Sequence, residues 1–270
     1  MTQDIILNEE RAKLIHKLEA LKKESANLFY KRDEMLTYEY PKLCSLYLNE
    51  IGQLKYDEFS LQVDIKILSL RLSLIQAYIN RNEMPDHDAI EKQVQAEMEK
   101  YRMTLENMMK DIREAKEYLS APLLSPEEAR ELKALYVILV KRLHPDINPN
   151  LSERDEELYI KAVAAYKSRD LVTLRQIMLL VDSFRTDDLP EDTLLDQIDK
   201  VQKTIDAIKE RISELESQFP FNLRDKIYDR EWIEKEQSLL KESISALTEK
   251  KRSIEQTILV YKTWKPESLS

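Results

Sequence analysis

The chain has 270 residues, 34% of them charged, with one glycine and nine prolines. So little glycine argues against a strand-rich fold, whose hairpins and bulges need it, while the abundance of Leu, Ile, Glu and Lys suits helices and coiled coils. The net charge of −9 argues against a nucleic-acid partner held through phosphates, and no Gly-rich phosphate loop can be built from one glycine.

Taken in chain order, the first expected helix runs from about Asn8 to Tyr38. Leu7, Leu14, Leu18, Leu21 and Leu28 share one seam, in which Ser25 fills the remaining place. Tyr40-Pro41 is expected to interrupt it, because proline disfavours helix in the residue before it. The second helix spans about Lys42 to Asn80. Ile51, Leu54, Glu58, Leu61, Ile65, Leu68, Leu72, Ile75 and Ile79 step by three and four. A second stripe, Val63, Ile67, Leu70, Leu74 and Ala77, runs beside the first, so this helix is expected inside a bundle. After the turn NEMPDHD, where Asp86 or Asp88 can cap, a third helix covers about Ala89 to Leu119.

The middle of the chain changes character. Ser125-Pro126-Glu127-Glu128 is a capping-box start for a helix to about Leu143, stopped by Pro145. Ser152 caps a helix to about Lys167, and Asp170 caps one from Leu171 to about Phe184. The stripes of these short helices follow no heptad. Two heptad runs close the chain: Leu194 to Phe219, then Ile233 to Tyr261, on either side of Pro220.

The fold expected is all-α: an elongated antiparallel helical bundle or coiled coil (1–120), a small inserted unit (121–186), and a C-terminal antiparallel coiled-coil hairpin (187–270). That hairpin can pack on the first bundle, cross over the insert, or pair with a second copy, and homodimerisation stays open. No stretch is long and apolar enough for a membrane span, the start lacks a signal-peptide core, and Cys44 is alone. Together these suggest a soluble, cytoplasmic protein with no membrane partner.

Between two of the short helices lies His144-Pro145-Asp146, within KRLHPDINPN. A basic last turn followed by proline is ordinary helix-end chemistry, and Asp146 and Asn148 are ordinary turn residues. Neither fact requires a histidine at 144 or an aspartate at 146. The surroundings add more: Tyr136, Leu139 and Val140 precede the triplet, Arg142 stands just before it, Asn148-Pro149 follows it, and Tyr159 and Ala165-Tyr166 lie in the next helix. This stretch, about residues 118–170, resembles a J-domain, the module through which DnaJ-type co-chaperones act on DnaK-type chaperones. The resemblance implies that Tyr136 and Leu139 face inward. It also implies that the triplet docks on the chaperone's ATPase domain and accelerates its ATP hydrolysis. The expected contacts are His144, Pro145 and Asp146, with Lys141, Arg142, Lys133 and Arg130 as the basic face that steers association.

The sequence departs from the family in several places. The family's first helix has no clean counterpart, and Tyr118-Leu119 is the candidate substitute. Val137 and Ile138 stand at usually basic positions and are expected to pack on the rods. Leu158 and Ile160 stand in a helix where lysines are usual. The leading expectation is a J-domain co-chaperone whose helical rods bind a client or adaptor protein, or dimerise. The rival is a structural or adaptor coiled-coil protein whose J-like unit has lost its partner, and it expects the triplet to be buried against the rods. No enzymatic constellation, cofactor site or metal site is read: His16, His87 and His144 are far apart and have no ligand-like neighbours.

Overall fold

The structure is a computed structural model that describes residues 2–120, 124–181 and 191–265. Among the described residues there is no strand, so the chain is all-α. No helix among them is long and apolar enough to cross a membrane. The long helices are α1 (Thr2–Glu34), α3 (Gln53–Asn80), α4 (His87–Ser120), α8 (Glu191–Ser217) and α10 (Arg230–Tyr261). The shorter ones are α2 (Tyr40–Tyr47), α5 (Pro126–Leu143), α6 (Glu153–Lys167), α7 (Leu171–Leu180) and the single turn α9 (Arg224–Ile227).

The expected break at Tyr40-Pro41 is absent. A proline inside a helix lacks an N–H, and its ring collides with the carbonyl four residues back. Here the turn before it widens into a π-helix over Met35–Glu39, in which the Tyr40 N–H donates to the Met35 carbonyl. The helix then continues as α2. A second π-helix, Leu48–Gly52, precedes α3.

The chain divides into two compact units that do not follow the three consecutive domains read from the sequence. One combines Met1–Pro41 with Pro122–Asn222, the other Lys42–Ala121 with Leu223–Ser270.

In the first unit α1 pairs with α8. Leu18 packs with Leu194, Ile198, Val201 and Ile205, and Leu14, Ile15, Leu21 and Leu28 pack alongside. The Leu7 side chain lies outside the described residues. Glu24 bonds Lys209 and Lys31 bonds Glu216, each at 2.8 Å. Both partners advance by one heptad, so the two helices run parallel, not antiparallel. Helices α5, α6 and α7 build a small core around Tyr136, Leu139, Leu143, Ile147, Leu158, Ala162 and Leu174. The Ser125–Glu128 and Ser152–Asp155 capping boxes and the Asp170 cap start these helices where the sequence placed them. Helix α7 ends at Leu180, where Val181 turns to an extended backbone (φ −87°, ψ 110°), short of the expected end near Phe184.

In the second unit α3 and α4 form the antiparallel pair expected from the turn between them. Arg71 bonds Glu91 at 2.5 Å and Lys66 bonds Glu97 at 3.3 Å, and Asp86 caps α4 by accepting from the Ala89 N–H at 3.0 Å. Helix α10 lies parallel to α3, with Ser243 on Glu58 and Lys251 on Asp64, both at 2.6 Å. The only glycine, Gly52, is helical and sits where α4 comes close: a Cβ built there would lie 3.2 Å from Ile112 Cγ1. The expected C-terminal hairpin is therefore replaced by two parallel pairings, α8 with α1 and α10 with α3. Heptad periodicity defines a seam without naming its partner or its direction.

Candidate functional site

The site begins where α5 ends. The His144 N–H donates to Val140 and still belongs to the helix, but Pro145 forces His144 into an extended backbone (φ −71°, ψ 126°). The chain then folds back. The Ile147 and Asn148 N–H groups both donate to the His144 carbonyl, at 3.0 and 2.9 Å. The Asp146 N–H donates to His144 Nδ1 at 3.1 Å, which leaves the imidazole proton on Nε2.

This tight turn divides the triplet. Pro145 and Asp146 are exposed, and the Asp146 carboxylate has no hydrogen bond or ion pair among the described residues. The His144 side chain is turned inward and only 7% of the residue is exposed. Its ring stacks on Phe29 of α1 (centroids 3.6 Å apart, planes 26° apart) and meets the edge of Tyr159 at 4.9 Å. Burial, reinforced by the nearby Arg32 guanidinium, drives its pKa down to about 3, so the imidazole is neutral.

Helix α1 also meets the segment around the triplet with polar groups. Lys22 Nζ donates to Asn148 Oδ1 at 3.0 Å, and Asn148 Nδ2 donates to the Lys141 carbonyl at 2.8 Å. Burial lowers the Lys22 pKa against the opposing pull of Glu19. The fully buried Tyr136 hydroxyl donates to Asp33 Oδ2 at 2.5 Å, and its ring stacks on Tyr166 at 4.0 Å. The Tyr166 hydroxyl donates to Glu34. Burial, with these carboxylates adding to it, raises both phenols far above their ordinary range. Burial likewise raises Tyr30, close by, to about 12.

The basic residues expected beside the triplet fare differently. Lys141 is tied to Glu19 of α1 at 2.8 Å, and Lys133 lies over the Tyr30 ring at 4.7 Å. Arg130 is exposed and Arg142 half-buried, neither with an ion pair among the described residues. Val137 is half-buried, but Ile138 is 38% exposed, so it does not pack on a rod as expected. Ile160 is exposed too, at 68%. Tyr118-Leu119 belongs to the second unit, and the helix that lies against α5 is α1.

Sequence reasoning therefore missed the α1 contributors Lys22, Phe29, Asp33 and Glu34. A signal was present. Leu18, Lys22, Ser25, Phe29 and Asp33 continue the three-and-four spacing of the leucine seam with polar and aromatic residues, which marks a face buried against something other than a plain coiled coil. Among the described residues no group of three His, Cys, Asp or Glu side chains comes together as a metal site. No family model, curated protein or solved structure matches the chain.

Proposed function

We propose that the chain is a J-type co-chaperone that recruits a DnaK-type chaperone and stimulates its ATP hydrolysis, while its helical rods hold a client or adaptor protein or a second copy. The observation that carries this reading is the rigid Pro145–Asp146 tip. It presents an exposed carboxylate with no hydrogen bond or ion pair among the described residues at the one place where a docking aspartate is needed. In this reading His144 shapes the loop and Asp146 makes the contact. The ATP chemistry belongs to the partner, whose conformational balance docking shifts, so the chain itself is not an enzyme. The reading places the chain in the cytoplasm, where a lone Cys44 stays reduced.

The structure changes which variant tests this. His144→Gln unpacks Phe29 and Tyr159 and confounds docking with folding. Asp146→Asn removes the exposed charge and touches no packed group. ATP turnover by a DnaK-type chaperone from the same cell should rise with the wild-type chain and fall back to the basal rate with Asp146→Asn. No stimulation by the wild type, with the chaperone active toward another J-protein, overturns the reading.

A second reading, an adaptor whose J-like unit no longer docks, is favoured by one observation: α1 already occupies His144, Lys141 and Lys133. It expects neither wild type nor Asp146→Asn to alter turnover.

A further inference from the structure

Docking steered by charge needs cations beside Asp146, and α1 has taken Lys141 and Lys133 for internal contacts. Other cations stand across a cleft of about 280 Å³ between the loop and α8. Pro145, Asp146 and Pro149 line one wall, and Gln197, Lys200 and Lys203 line the other.

Three features make this cleft more than a gap between elements. Gln197 is 7% exposed, yet its amide makes no hydrogen bond among the described residues. Most of the side chain is covered while its donors and acceptor stay open to water at the cleft, where they are available to a polar group. Lys200 is exposed and has no ion pair among the described residues. Among the described residues Lys203 pairs only with Asp199, four residues back on its own helix, at 2.7 Å with 75% and 64% of the two side chains exposed. Such a surface pair contributes little and yields readily to a partner. Finally, α8 cannot swing freely, because Val201 on the same edge is 1% exposed in the seam with Leu18.

We propose that the Pro145–Asp146 tip and the Lys200/Lys203 edge of α8 form one composite docking cleft. It takes a segment of the chaperone's ATPase domain that carries an acidic side chain for the lysines beside a basic one for Asp146. The proposal rests on the docking reading above and makes α8, rather than α5, the main source of positive charge. The charged groups that line the cleft are Lys200 and Lys203 on one side of the balance and Asp146 on the other, with Asp199 paired to Lys203. Opposite charges on facing walls fix the orientation of a bound segment and make association weaken with salt.

The test uses the full chain and the DnaK-type ATPase domain of the same cell. Lys200→Glu/Lys203→Glu is compared with Arg130→Glu/Lys133→Glu on α5. All four positions are exposed and glutamate suits helices, so unchanged circular dichroism is expected for both variants, with thermal unfolding lowered only slightly in the α5 variant by loss of the Lys133–Tyr30 contact. The α8 reversal should weaken binding by about tenfold or more, flatten its salt dependence and reduce ATP turnover in step. The α5 reversal should change binding by less than about threefold. Wild-type binding that the α8 reversal leaves intact, or that both reversals weaken equally, overturns the composite cleft and leaves the docking reading standing. A wild-type chain that neither binds nor stimulates removes the docking reading, and the cleft's partner with it.

Discussion

Helix α1 has two buried faces made by different physics. Toward α8 it offers Leu14, Leu18, Leu21 and Leu28 to a seam of isoleucines, valine and leucine. Such a face gains from removing apolar area from water and is indifferent to which apolar surface covers it. Toward α5, α6 and the loop between them it offers Lys22, Phe29, Asp33 and Glu34, each matched to one side chain: Asn148, His144, Tyr136 and Tyr166. Buried polar pairs add little net stability, but breaking one strands its partner. The first face holds α1 and α8 together, and the second sets the register of α5 and α6 on α1.

The largest expected effect falls on the apolar face. Leu18→Ala leaves a cavity in the α1–α8 seam and should cost about 2–5 kcal/mol in urea unfolding. Asp33→Ala strands the Tyr136 hydroxyl and should cost about 1–3 kcal/mol. Adding Tyr136→Phe removes the stranded group, so the double variant should lose clearly less than the sum of the two single losses. Additivity in that cycle would show that the pair does not act as one.

His144 sharpens the comparison through pH. Its pKa is lowered in the folded chain to about 3 from an ordinary ~6.5. The unfolded chain therefore binds the extra proton over that window, and stability falls as the pH drops from the upper value to the lower. This one group contributes a slope of up to ~1.4 kcal/mol per pH unit. Relative to wild type, His144→Phe should lose that part of the acid sensitivity, and identical slopes would place the imidazole in water. The smallest effect belongs to Ser25, whose buried Oγ has no hydrogen-bond partner among the described residues. Ser25→Ala should be neutral or stabilise by about 1 kcal/mol in the same unfolding assay.

The two faces also differ in how legible they were. Caps at Ser125, Ser152 and Asp170 and the seams of α1, α3, α8 and α10 could be read because capping and heptads are local rules. The pairing of α8 with α1, and its parallel direction, could not, because a seam carries no address. The triplet was visible in the sequence, but its division was not. The burial of His144 depends on Phe29, far up the chain, and the diversion of Lys141 depends on Glu19. The lysine edge of α8 was hidden for the same reason: Lys200 and Lys203 gain meaning only when α8 lies beside the loop.

The central claim, that the triplet is split between an inward imidazole and an outward carboxylate, is tested most directly by following the histidine ring resonances by NMR through a pH titration of the intact chain. The account predicts that His144 keeps its neutral form, with the proton on Nε2, through pH 5 and titrates only toward about 3. A His144 ring that titrates near the ordinary ~6.5 would contradict it, because an imidazole stacked under Phe29 cannot take a proton so readily.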